Sequence, residues 1–175
     1  MNEVIRTIKE RRSIRKFKAE MPKEEDIREI IDAGLYAPSA KGRQNSIIVA
    51  VTDKELRNKL MEENARIAGM KEGSDPFYGA PVILIVLADK NTATREYDGA
   101  LVMENLMLAA TSFGLGSIWI NRAKEEFEMP EFKEVLDKLG VTGEWEGVGH
   151  CAIGYPDCEI PKAAPRKENR VYWVK

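Results

Sequence analysis

Pro81-Val82-Ile83-Leu84-Ile85-Val86-Leu87-Ala88 is the longest apolar run in the chain. A run with no polar position reads as a strand buried on both faces, the centre of a sheet. Eight residues are far too few for a membrane span, which needs about twenty. Before it lies Gly69–Gly79, with three glycines and Pro76, which reads as a mobile loop. Further back, Asp53 caps a polar helix to about Ala68, and Ile47–Val51 reads as a β-branched strand. After the run, Ala100–Phe113 holds ten apolar residues in fourteen, so the helix from Asp98 to Phe113 needs neighbours on several sides. Gly114-Leu115-Gly116 ends that helix, Ser117–Ile120 reads as a strand, and Pro130–Leu139 as an amphipathic helix stopped by Gly140. Glu146–Ile153 and Val171–Val174 read as further strands. At the front, Val4, Ile5 and Ile8 give a helix over 2–11. A second helix follows Pro22, with Glu24, Glu25 and Asp26 in its first turn, and Ala37-Pro38-Ser39 stops it. This order predicts a single α+β domain over residues 1–175 with a central mixed sheet, not a clean βαβ alternation.

The 175 residues are 43% apolar and 32% charged, which excludes a disordered or collagen-like chain. The basic first twenty residues carry no apolar signal core, and Cys151 and Cys158 fit no disulfide framework, so a cytoplasmic protein is expected. A formal net charge of −2 conceals two basic ends. Arg6–Lys18 carries seven bases against Glu10, and Pro161–Lys175 carries five against Glu168, which leaves −12 on the remainder. Such ends suggest an anion held where they meet. A nucleic-acid surface is not expected at a pI near 5.7 with only Phe17 among the bases.

Nucleophile motifs are missing. Ser13, Ser39 and Ser117 lie in no G-x-S-x-G elbow, and a strand sends the neighbours His150 and Cys151 to opposite faces. His150, the one histidine, reads as structural, and no metal site is expected. Glu125-Glu126 reads as a solvated helix face. Gly114-Leu115-Gly116 follows a helix and precedes a strand, the reverse of a dinucleotide fingerprint, and no P-loop exists. Arg11-Arg12-Ser13-Ile14-Arg15-Lys16-Phe17 stands out. Three guanidiniums and a hydroxyl within five residues can grip a phosphate by charge-assisted bonds.

That segment resembles the nitroreductase family's R-R-S-x-R-x-F. Ala37-Pro38-Ser39-Ala40-Lys41-Gly42-Arg43-Gln44-Asn45-Ser46 is similar to its A-P-S-x-x-N-x-Q-P-W, Gly114–Ile120 to its G-L-G-S-x-W-I, and Gly154-Tyr155-Pro156 with Pro165-Arg166-Lys167 to its closing motif and basic tail. The resemblance is collinear over nearly the whole chain. It implies a three-layer α/β/α fold around a central mixed, mostly antiparallel sheet, in an intertwined homodimer. It further implies that Arg11, Arg12, Ser13 and Arg15 hold the FMN phosphate, ribityl chain and pyrimidine edge. Pro38, Ser39, Ala40 and Gln44 would reach the flavin from the second subunit. Ile118, Trp119 and Ile120 would cover the isoalloxazine face, and Arg166 with Lys167 would close on the phosphate. The sequence departs from the pattern at Gly42, in place of Asn, and at Asn45-Ser46, in place of Pro-Trp.

The activity so implied is FMN-dependent reduction of nitroaromatics, quinones or similar flat aromatic acceptors with NADH or NADPH, by ping-pong alternation. No catalytic side chain is required, because flavin N5 does the chemistry. The rivals are another FMN reaction, dehalogenation or flavin breakdown, and a non-enzymatic module that binds an anion or nucleotide. Trp119 is expected beside the flavin, and the tail strand Val171–Val174 on a partner's sheet.

Overall fold

The computed structural model describes residues 1–175. Helix α1 (Glu3–Glu10) is capped by the Asn2 side chain, which accepts from the Ile5 amide, and α2 spans Glu24–Leu35. Strand β1 (Ser46–Val51) leads to α3 (Lys54–Ile67), capped as expected by Asp53. Then come β2 (Val82–Asp89), α4 (Arg95–Ser112), β3 (Gly116–Ile120), α5 (Ala123–Glu128), α6 (Pro130–Lys138) and β4 (Trp145–Gly154). None of these helices is long and apolar enough to cross a membrane.

The strands form one sheet in the order β1-β2-β4-β3, with every neighbour antiparallel. The mixed character read from the sequence is confined to a single parallel bridge, Ser13 to Ser117. The apolar run is indeed central, since β2 lies between β1 and β4 and Val82–Ala88 are all sealed. Its alternation divides the core in two. Val82, Leu84 and Val86 pack with Ile27 and Ile30 of α2 and Val102, Met103, Leu106 and Met107 of α4. Ile83, Ile85 and Leu87 pack on the opposite face with Leu60 of α3, Phe127 of α5 and Phe132 and Leu136 of α6. That is the three-layer arrangement.

The β2–β4 register slips between Val86 and Leu87, so Val148 bulges out of β4. Glycines flank the bulge because neighbours crowd it. A Cβ on Gly147 would lie 2.2 Å from the Ala123 backbone, and one on Gly149 2.5 Å from Trp119 Nε1.

Two local expectations change. Residues 171–174 form no strand: Val171–Val174 are exposed, and no residue from 157 onward is buried. An apolar, β-prone segment needs a partner strand, and its own chain offers none within reach. Gly69–Gly79 is pinned at its far end, where Phe77 is fully buried and the Asp75 carboxylate accepts from the Phe77 and Gly79 amides and from Arg57.

Candidate active site

The segment after α1 is fixed by both of its hydrophobic residues. Ile14 and Phe17 enter the core, and the Ile14 amide donates to the Ser117 carbonyl (3.0 Å) on the open edge of β3. Gly116 makes room, since a Cβ there would lie 2.7 Å from Ile14. The polar residues on either side of Ile14 line a cleft of about 660 Å³. Lys9, Arg11, Arg12, Ser13 and Arg15 come from the front of the chain, and Pro161–Ala164 and Arg166 from the back. Six cations and no carboxylate line it, so the two basic ends do meet.

The cations are not equivalent. Arg11 caps α1 through its amide, and its Nη1 is sealed from solvent with no partner. Its only ionic neighbour, Glu104 of α4, is 3.9 Å from Nε. Arg12 is already employed: its Nε donates to the Pro161 carbonyl (3.0 Å) and its Nη1 to the carbonyls of Lys9 and Arg11, tying the tail to the end of α1. Arg15 and Arg166 are exposed, each touching only a nearby carbonyl. Lys167 lies outside the cleft, farther along the tail beside Arg170. Lys9 and Lys162 line the cleft without having been singled out in the sequence.

The second segment builds a different place. A 3-10 turn at Ala40–Gly42 follows α2, with φ of 57° at Lys41 and 50° at Gln44, left-handed values that side chains seldom adopt. The turn is held by Asp98 of α4, whose carboxylate accepts from the Ala40 amide (3.1 Å) and the Thr94 hydroxyl (2.9 Å). The Ser39 hydroxyl accepts from the Gln44 amide (2.8 Å). Pro38, Ser39, Gln44, Asn45, Ser46 and Asp98 border a small cavity of about 120 Å³. It shares no lining residue with the cationic cleft, so one chain does not unite the two segments.

Strand β3 supports the cleft from behind, through the parallel bridge between Ser13 and Ser117, and none of its own residues lines the cleft. The side chains of Ile118 and Ile120 are buried in the α3/α5/α6 core, and their main chain faces β4, opposite Ala152 and His150. Trp119 faces α4 and lies over Gly149, with Nε1 sealed and unpartnered. The Ser117 carbonyl points out of the sheet toward Ile14, and strand alternation puts the Trp119 amide on that same open edge. Cys151 lies opposite Trp119, and burial pushes its thiol far above the ordinary value despite nearby Arg11, which leaves no thiolate for nucleophilic work.

One expectation is overturned. Glu126 is not on a solvated face: it is fully buried, 2.6 Å from Nε2 of the equally buried His150. Asn64 Nδ2 donates to Glu126 (2.9 Å) and to the Asn121 carbonyl, and Arg122 donates to Asn64 Oδ1. His150 Nδ1 lies 3.3 Å from the Ile120 carbonyl. His150 is therefore structural, and its network fastens the end of β3 from the side away from the cleft. Helix α5 escaped the sequence reading because six residues are too short to display a period.

Comparison with known proteins agrees with this geometry. A family model described as the nitroreductase family matches residues 8–155. An NADPH-flavin oxidoreductase of Vibrio harveyi is 33% identical over 175 residues, covering 95% of this chain and 70% of its own. A nitroreductase with bound FMN from Bacteroides fragilis has a TM-score of 0.90 and 31% identity over 100% of both chains. An iodotyrosine deiodinase of Thermotoga neapolitana is 28% identical, covering 91% of each chain.

Proposed function

The chain belongs to the nitroreductase family, and on that premise we propose an FMN-dependent oxidoreductase that draws electrons from NADH or NADPH and passes them to nitroaromatics, quinones or similar flat acceptors. The observation that carries the proposal is the six-cation cleft in which Arg11 Nη1 is buried without a partner. A buried guanidinium N–H left unpaired is costly, and a phosphate group is the ligand that matches it. The cofactor therefore fits the residues present. Bound FMN would supply the redox chemistry by accepting hydride at N5 and releasing electrons to the acceptor.

The protein's part is to bind, orient and exclude. Arg11, Ser13, Arg15 and Arg166 hold the phosphate end, and Arg12 keeps the tail in place over it. Lys167 reaches the phosphate only if the tail moves. The open edge of β3 offers the Trp119 amide to the ring. Pro38, Ser39, Ala40 and Gln44 come from a second copy of the chain, which makes the working unit a homodimer. This is supported by the separation of the two segments within one chain. It is also supported by exposed apolar residues on α1 (Val4, Ile5, Ile8), on α4 (Tyr97, Leu101) and along the tail. Donor and acceptor take turns on one open face, which gives ping-pong kinetics. Both cysteines are free, as suits a reducing cytoplasm.

The test is direct. The purified protein is expected to be yellow with flavin absorption, to oxidise NADH or NADPH, and to give parallel double-reciprocal lines against menadione or nitrofurazone. A colourless protein that ignores added FMN defeats the proposal.

A further inference from the structure

Asn45 is 8% exposed, yet neither Nδ2 nor Oδ1 of its carboxamide has a partner, and the hydroxyl of Ser46 beside it has none either. Buried amides are nearly always satisfied, so a wholly unpaired one marks a place where something else supplies the bonds. The backbone there is rigid. The Asn45 carbonyl accepts from the Asp89 amide (2.9 Å), and β1 begins at the next residue. Asn45 lines the cavity of about 120 Å³ also lined by Pro38, Ser39 and Gln44, with both polar atoms of its side chain sealed from solvent.

The cavity limits its occupant in three ways. Its volume is a few water molecules' worth, so it takes the edge of a ring and not a whole one. Leu35, Ala37 and Val102 make part of its wall apolar. Asp98, 5% exposed and already accepting from Ala40 and Thr94, repels an anion, so phosphate belongs in the cationic cleft and a neutral group here. A carboxamide presents a donor beside an acceptor in one plane. Its complement is an edge with a carbonyl beside an N–H. The flavin's pyrimidine ring carries that imide edge.

Resting on the FMN reading above, we infer that Asn45 pairs with the imide edge of the flavin held by the other copy, Nδ2 donating to a ring carbonyl and Oδ1 accepting from N3–H. The torsion that turns an Asn amide is soft, so the edge can rotate to meet the ring without backbone movement. Gly42, at the family's usual asparagine position, offers no side chain, and Asn45 brings a carboxamide three residues later.

Apoprotein of full length is titrated with FMN and with N3-methyl-FMN, in the wild type and in Asn45→Ala, following flavin fluorescence. Methylation is expected to weaken binding to the wild type roughly ten- to hundredfold. Asn45→Ala should bind FMN about tenfold more weakly and discriminate against the methylated flavin by less than about twofold. An equal methyl penalty in both proteins, or none in the wild type, overturns the pairing while leaving the FMN reading intact. A wild type that binds neither flavin overturns both. Should Asn45→Ala not fold, the wild type labelled with 15N-asparagine decides: one side-chain amide pair should shift with FMN but not with N3-methyl-FMN, and the absence of that difference refutes the inference.

Discussion

Arg11→Ala isolates the cofactor contact from the fold. Within the chain the side chain gives up little: its partner Glu104 is 3.9 Å away and 47% exposed, a pair worth at most about 1 kcal/mol. Removing a sealed, unpartnered N–H relieves a desolvation cost in return. The melting temperature of the apoprotein should therefore move by no more than about 4 °C for a domain of this size. Binding is another matter. The variant leaves a phosphate without its buried, charge-assisted partner, a loss of about 2–4 kcal/mol, or roughly 30- to 1000-fold in FMN affinity. Titration of apoprotein by flavin fluorescence measures it, and riboflavin provides the control. Riboflavin has no phosphate, so its affinity should change less than about threefold, and the wild type's preference for FMN should collapse in the variant. An FMN affinity within twofold of the wild type would refute the assignment of Arg11, whatever happens to activity.

Three further outcomes are expected. His150→Ala strands the buried Glu126 carboxylate and empties the space against Phe77, whose ring centroid lies 5.3 Å from the imidazole, so urea unfolding should show a loss of about 3–5 kcal/mol. The double variant with Glu126→Ala should lose less than the sum of the two single changes. Burial raises the Glu146 pKa, but hydrogen bonds from Arg95 and Lys124 outweigh it and leave the pKa below the ordinary 4.5. A lowered native pKa stabilises the fold above about 4.5 and ceases to do so as pH falls through it, so the gap between wild type and Glu146→Gln in chemical denaturation should close in acid and persist at pH 7. Deleting residues 168–175 should lower both the mass seen by light scattering and the retained FMN. A full-length protein that scatters as a monomer while holding FMN defeats the dimer.

What the sequence made legible follows from where its signals are local. Val82–Ala88 declares a two-faced strand without any knowledge of its neighbours, because burial on both sides removes every polar position. The Arg11–Phe17 segment is legible for a related reason: Ile14 and Phe17 must go inward, so the cations beside them must go elsewhere. Glu126 was hidden because its burial depends on a histidine far along the chain, and a Glu-Glu pair on a short helix carries no trace of that. Val171–Val174 forms no strand within one chain, and the sheet it was expected to join is a partner's. Strand propensity is satisfied only by a partner edge, and the segment has none in its own chain. The division of Arg12 from Arg11 was equally invisible, since both are adjacent arginines at one helix end and only the path of the tail past Pro161 separates their tasks.

The two faces of β4 show why neither the histidine nor the buried thiol serves the cleft. His150 points to the sealed face, where Glu126 and the Ile120 carbonyl flank it and Asn64 holds Glu126 in turn. Cys151 points to the other face, too buried to ionise. The imidazole is thus spent on fixing the end of β3 and the thiol on packing the core, while the cleft receives six cations. Such a site can bind and orient a redox cofactor but cannot itself choose an acceptor by chemistry. In the proposed dimer, choice passes to the wall supplied by residues 38–46 of the second copy, where the turn is strained and the side chains of Asn45 and Ser46 are unpaired. Substitutions at Gly42, Asn45 and Ser46 should accordingly alter which molecules stack on the flavin far more than how electrons leave it.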